Sequence, residues 1–139
     1  PPSRGPEEIL EQKIVVHTKQ GKIYKGVTQD FGPDRESFYF LPNEGGGVPM
    51  TLQVNELKAL FWVKDYLGNR NFEASQSFDD KRQGQRAVVA FADGEEVWGT
   101  LDAYEEGTPG FFLIPADRED NNIRIFVVRS ALKELRLES

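Results

Sequence analysis

This chain repeats itself at a fixed spacing, and the repeat constrains the fold more than any other feature. Lys13-Ile14-Val15-Val16-His17-Thr18-Lys19-Gln20-Gly21 is followed by Gly26, by Phe38-Tyr39-Phe40-Leu41-Pro42 and by Leu57-Lys58-Ala59-Leu60. Arg86-Ala87-Val88-Val89-Ala90-Phe91-Ala92-Asp93-Gly94 is followed in the same way by Gly99, by Phe111-Phe112-Leu113-Ile114-Pro115 and by Leu132-Lys133-Glu134-Leu135. The pairs Gly21/Gly94, Gly26/Gly99, Phe38/Phe111 and Pro42/Pro115 are 73 positions apart, and the closing Leu-Lys pairs are 75 apart. A repeat of this length implies two structural units of one type.

Within each unit the local signals are those of strands and turns. The β-branched runs Ile14-Val15-Val16 and Val88-Val89 stop at Lys19-Gln20-Gly21-Lys22 and Ala92-Asp93-Gly94-Glu95, so each unit opens with a hairpin. Gly26 and Gly99 fall inside the second strand, where glycine weakens pairing, so its return in both copies predicts a bend or a close backbone approach. Pro42 and Pro115 end the aromatic third strands because proline cannot donate to a ladder. Fourth strands are expected over 50–54 and 123–128 and fifth strands over 59–63 and 132–137. A single 3₁₀ turn fits between them, at 55–57 and 129–131.

The expected fold class is therefore all-β: two tandem five-stranded small barrels with a short N-terminal helix. Residues 1–12 form an extension whose acids after Pro6 suit that helix, copy one covers 13–64, an ordered connector covers 65–85, and copy two covers 86–139. Each copy, at about 55 residues, is near the lower size for independent folding and should lean on the other. Phe72 and Phe78 are expected to anchor the connector on a barrel.

Composition narrows the function classes. With no cysteine the chain has neither a disulfide nor a Cys-based metal site, and a cytoplasmic setting fits. No apolar run is long enough to span a bilayer, and the opening Pro1-Pro2-Ser3-Arg4-Gly5-Pro6 has neither the apolar core of a signal peptide nor an initiator Met, as expected of a piece of a longer protein. The net charge of -6 argues against non-specific nucleic-acid binding. It is uneven: 13–64 holds seven Lys and Arg against five Asp and Glu, whereas 86–137 holds six against ten.

Catalytic groups are sparse. His17 is the sole histidine and its counterpart is Ala90. Asp93, Glu95 and Glu96 sit at a hairpin turn, where solvated charge is the expected state. The loop 117–122 lacks the spacing of a calcium loop. The reading is of a non-enzyme with no cofactor and no metal.

Two motifs carry resemblances to known families. Asp93-Gly94-Glu95-Glu96-Val97-Trp98-Gly99-Thr100-Leu101-Asp102-Ala103-Tyr104 with Phe111-Phe112-Leu113-Ile114 resembles the first motif of Sm-like barrels, and Phe126-Val127-Val128-Arg129-Ser130-Ala131-Leu132-Lys133-Glu134-Leu135 resembles the second; copy one is similar through Gly21, Gly26, Asp30 and Phe38. The resemblance implies small Sm-like or SH3-like barrels, with RNA binding through Lys22, Lys25 and Arg35 as one alternative. RNA-binding members carry an Asn in the loop after the second glycine and a Gly after the motif-two Arg. This chain has no such Asn, Ser130 follows Arg129, and Val54 takes the arginine's place in copy one. Separately, Arg82-Gln83-Gly84-Gln85-Arg86, followed by Asp102 and Gly107, is similar to the PilZ pattern, with Tyr104 in place of its serine. That resemblance implies a cyclic di-GMP site built from Arg82, Arg86, Asp102 and Gly107, since guanidinium groups grip phosphate and stack on guanine. The paired copies also resemble domains of unknown function in bacterial signalling proteins.

The aromatics point instead to a protein partner, or to other domains of a longer parent chain. Phe38-Tyr39-Phe40 aligns with Phe111-Phe112-Leu113, and alternation sets Tyr39 and Phe112 against the face that carries their neighbours. Rings on the outer face either pack on the other copy or the connector, or form an exposed surface. Tyr39, Trp98, Tyr104, Phe112 and Arg129 are the candidate contact residues.

Overall fold

The computed structural model describes residues 13–43, 48–66, 84–102, 104, 106–117 and 121–138. It shows ten antiparallel strands: β1 Lys13–Thr18, β2 Ile23–Val27, β3 Ser37–Pro42, β4 Met50–Gln53, β5 Leu57–Val63, β6 Arg86–Phe91, β7 Glu96–Asp102, β8 Gly110–Pro115, β9 Asn122–Val128 and β10 Leu132–Glu138. Single 3₁₀ turns at Val54–Glu56 and Arg129–Ala131 precede β5 and β10. The expected N-terminal helix at 7–12, Arg82 and most of the connector with Phe72 and Phe78 lie outside the described residues. No helix among the described residues is long and apolar enough to cross a membrane.

The turn glycines of both opening hairpins have positive φ, 93° at Gly21 and 99° at Gly94, the conformation for which the turns select glycine. The strand glycines mark a close approach. A Cβ on Gly26 would run into the carbonyl oxygen of Leu41, and one on Gly99 into that of Ile114, so β2 and β7 cross β3 and β8 at a distance that no side chain allows.

The all-β expectation holds at the level of the sheet: the strands form one open sheet, in the order β10-β6-β7-β8-β9-β5-β1-β2-β3-β4, rather than two closed five-stranded barrels. Each copy contributes five consecutive positions in the same internal order, fifth-first-second-third-fourth. The seam is β5 against β9, with Ala59 opposite Val127, Leu60 opposite Phe126, Phe61 opposite Ile125 and Trp62 opposite Arg124. Beyond it, Lys64 N donates to Asn121 O at 2.9 Å, and Asp65 and Asn121 exchange two further bonds of 3.1 and 2.9 Å.

Alternation along the seam strands explains why a continuous sheet forms. Leu57, Leu60 and Trp62 of β5 enter one core with Ile14, Val16, Phe38, Phe40, Leu52 and Val54 of copy one, and Phe126 and Val128 of β9 join them from copy two. Ala59, Phe61 and Val63 face the other way, with Val15, into the core of Val89, Phe91, Phe111, Leu113, Ile125 and Val127. Strands buried on both faces read as uninterrupted apolar runs, as Ala59–Val63 and Ile125–Val128 do. Neither core is built by one copy alone, because each contains side chains from the other.

Candidate interaction surface

The seam gathers an aromatic cluster on its copy-one face. Phe112 of β8 meets Trp62 of β5 at a centroid distance of 5.6 Å and Phe126 of β9 at 5.2 Å. Phe31, from the loop after β2, meets Phe38, Trp62 and Phe126 at 5.2, 5.7 and 4.8 Å, in edge-on geometries that suit the ring quadrupoles. Arg124 covers the cluster, its guanidinium 4.1 Å from the Phe112 centroid and 4.8 Å from that of Trp62. Burial lowers the Arg124 pKa from its ordinary value, opposed by the charge of Asp102.

Phe112 thus packs on the other copy, and among the described residues its repeat counterpart has no equivalent cover. Tyr39, 73 positions earlier, lies on β3 opposite Thr51 of β4 and is 63% exposed. Its backbone is held firmly. Tyr39 N donates to Asp30 Oδ1 at 3.0 Å, the Thr28 hydroxyl donates to Tyr39 O at 2.6 Å, and Arg35 pairs with Asp30 at 3.7 Å. These side chains stand in for strand pairing. β2 and β3 align over two residue pairs only, Gly26–Pro42 and Val27–Leu41, whereas β7 and β8 align over four. The opening leaves a groove of about 330 Å³ lined by Val27, Thr28, Asp30, Tyr39, Leu41 and Pro49. Leu41 of this lining is exposed.

The difference between these counterparts gives a direct expectation. Phe112→Ala should cost about 2 kcal/mol because it empties part of the seam, while Tyr39→Ala should stay within about 0.5 kcal/mol. Urea denaturation of the two variants measures both.

The other candidate residues are placed as follows. Tyr104 and Arg129 come together: Arg129 Nη1 donates to Tyr104 Oη at 3.0 Å and Nε to Thr108 O at 2.9 Å, with the guanidinium 5.3 Å from the Tyr104 and Phe111 rings. This arginine braces the loop after β7 against the last 3₁₀ turn. It also borders a cleft of about 540 Å³ where the closing turns of both copies meet, lined by Glu36, Gln53, Asn55, Pro109 and Ser130 among others. Trp98 is half-buried on β7 opposite Val88, at the position where copy one carries exposed Lys25. Arg86 begins β6 opposite Thr100, Asp102 ends β7 opposite Phe112, and Gly107 takes a left-handed turn with φ 86° just ahead of Thr108.

Acids expected to be solvated have a partner. Lys58 of β5 reaches the β6–β7 turn, forming ion pairs with Asp93 at 2.8 Å and with Glu95, and its ammonium lies 4.7 Å from the Phe91 centroid. Burial opposes its charge, but bonds to the two carboxylates outweigh burial and raise its pKa. The same contacts hold Asp93 below the usual carboxylate range. His17 packs on Phe61 at 4.7 Å, and burial, then Lys58, lowers its pKa from 6.5.

The His17 shift has a defined sign. The folded chain binds the His17 proton less readily than the unfolded chain, so this contribution is complete above pH 6.5 and is lost as pH falls below it. Stability followed between about pH 7.5 and 5.5 should decline more steeply in the wild type than in His17→Gln.

Trp62, Phe31, Arg124 and Lys58 were not singled out by sequence reasoning, since each acts across the seam. The one available signal was the unbroken apolar run around Trp62. No curated protein and no solved structure matches the chain. Residues 10–139 match a family of unknown function, DUF6982, and the chain belongs to that family.

Proposed function

We propose that this chain is a non-enzymatic tandem binding and scaffold module that makes protein–protein or intramolecular contacts in bacterial cytoplasmic regulation, each copy being a small-barrel unit of the Sm-like or SH3-like kind. The observation that carries the reading is the contrast between Tyr39 and Phe112. One repeat position is a half-buried contact between the copies in copy two and an exposed ring on a clamped strand in copy one. A pre-ordered aromatic beside an apolar groove suits recognition of protein, because little conformational entropy remains to be lost on binding.

A photo-crosslinking amino acid placed at position 39 tests this in native extract. The expected result is a discrete protein adduct that is absent when the crosslinker replaces exposed Ile123 of copy two. Adducts with nucleic acid alone, or none at all, would overturn the reading.

A further inference from the structure

The sheet ends in two unlike edges. Among the described residues, β4 and β10 each pair on one side only. By the repeat, β4 is the counterpart of β9 and β10 the counterpart of β5, the two strands that form the seam. The seam therefore displays what a β4-type edge accepts: an antiparallel strand with Ala59, Phe61 and Val63 on one face and Leu60 and Trp62 on the other. Across it, Trp62 is seated against Phe112, the counterpart of Tyr39.

The chain's own β10 is unsuited to that role. Where β5 has Ala59, Phe61 and Val63, β10 has Glu134, Arg136 and Glu138. In the seam register Glu134 would fall opposite Leu52, which is buried in the copy-one core, and a carboxylate there would lose its water without gaining a partner. Arg136 is already within 3.8 Å of Glu96 and 4.0 Å of Glu134. Charges of this kind are how edge strands avoid pairing. β4, Met50-Thr51-Leu52-Gln53, has no charge at all, and exposed Val48 precedes it.

We propose that β4 is a docking edge for one short, extended, apolar strand of another protein, laid antiparallel with a large apolar or aromatic side chain over Tyr39 as Trp62 lies over Phe112. This is strand addition, in which main-chain hydrogen bonds give affinity and alternate side chains give selectivity. Pro49 confines the pairing to the four residues of β4, so one short segment is bound. The inference rests on the protein-binding reading and adds the partner's form.

The seam supplies the probe. A labelled peptide of residues 57–64, Leu-Lys-Ala-Leu-Phe-Trp-Val-Lys, is titrated with the whole chain by fluorescence anisotropy, beside a peptide of residues 132–139, Leu-Lys-Glu-Leu-Arg-Leu-Glu-Ser. The first should bind and the second should not. Thr51→Lys, which gives exposed β4 an edge charge, and Tyr39→Ala should each weaken binding by about tenfold or more. Both positions are exposed, so both variants keep the fold. No binding, equal binding of the two peptides, or binding indifferent to both substitutions would overturn the proposal; indifference would place the peptide elsewhere, as in invasion of the seam. A concentration-dependent oligomer of the chain alone, dissolved by Thr51→Lys, would identify a second copy as the occupant and overturn it too. If the peptide fails while the position-39 protein adduct persists, the strand claim falls and the protein-binding reading stands.

Discussion

Gly26→Ala is expected to lower stability by about 3 kcal/mol, a fall in Tm of roughly 10 °C, although it adds one methyl group. The new Cβ would meet the carbonyl oxygen and carbon of Leu41 and the Cα of Pro42. All three belong to backbone, so the collision is relieved only by separating β2 from β3. These strands have just two aligned residue pairs, Gly26–Pro42 and Val27–Leu41, and the substitution falls in one of them. Gly99→Ala should behave alike, since its Cβ would meet Ile114 O and Leu113 Cγ. Gly21→Ala separates this effect from ordinary backbone strain. Gly21 has φ 93° and open space around its would-be Cβ, so its cost should be about 1 kcal/mol. Thermal and urea unfolding of the three variants give the comparison. Equal costs at Gly21 and Gly26 would remove the close approach as the reason for the repeated strand glycine.

Phe126→Ala is expected to cost about 4 kcal/mol and to destabilise both copies together. Phe126 is fully buried, yet it is a copy-two residue packed in the copy-one core beside Leu60, Trp62 and Phe38. Its loss removes the edge-on contacts with Phe31 and Phe112 and leaves a void between strands of different copies. The backbone of β9 simultaneously carries Ile125 and Val127 into the other core. A cavity at Phe126 therefore loosens a strand on which both cores depend. Calorimetry should show one transition, shifted down as a whole.

What could be read in the sequence was local. Hairpins at Gly21 and Gly94, the close approach at Gly26 and Gly99 and the 3₁₀ turns ahead of the fifth strands follow from glycine, proline and β-branched residues a few positions apart. The joining of β5 to β9 follows from no local rule, because Leu60 and Phe126 are opposite each other only once two distant strands have met. One clue was present. Ala59-Leu60-Phe61-Trp62-Val63 is apolar without a break, whereas its counterpart Glu134-Leu135-Arg136-Leu137-Glu138 alternates. The first pattern belongs to a strand covered on both faces and the second to an edge.

The candidate surface divides in the same way. Alternation placed Tyr39 and Phe112 against their neighbours' face, but their fates differ because, among the described residues, only copy two has a strand beyond its fourth. Arg124 carries no motif, and its stacking on Trp62 and Phe112 exists only at the seam. Lys58 resembles Lys133 in sequence but not in setting, since the acids Asp93 and Glu95 lie across the seam from Lys58.

The two copies should melt as one cooperative structure joined through β5 and β9, and the chain's two tryptophans test it, Trp62 reporting the copy-one core and the seam and Trp98 reporting copy two away from the seam. Urea unfolding of Trp98→Phe and of Trp62→Phe is followed by tryptophan fluorescence and by far-ultraviolet circular dichroism. Within each variant the fluorescence midpoint should coincide with that of the dichroism, because neither core survives without the other copy's strands. A fluorescence transition in either variant that separates from the dichroism, leaving one copy folded while the other has melted, would contradict the account.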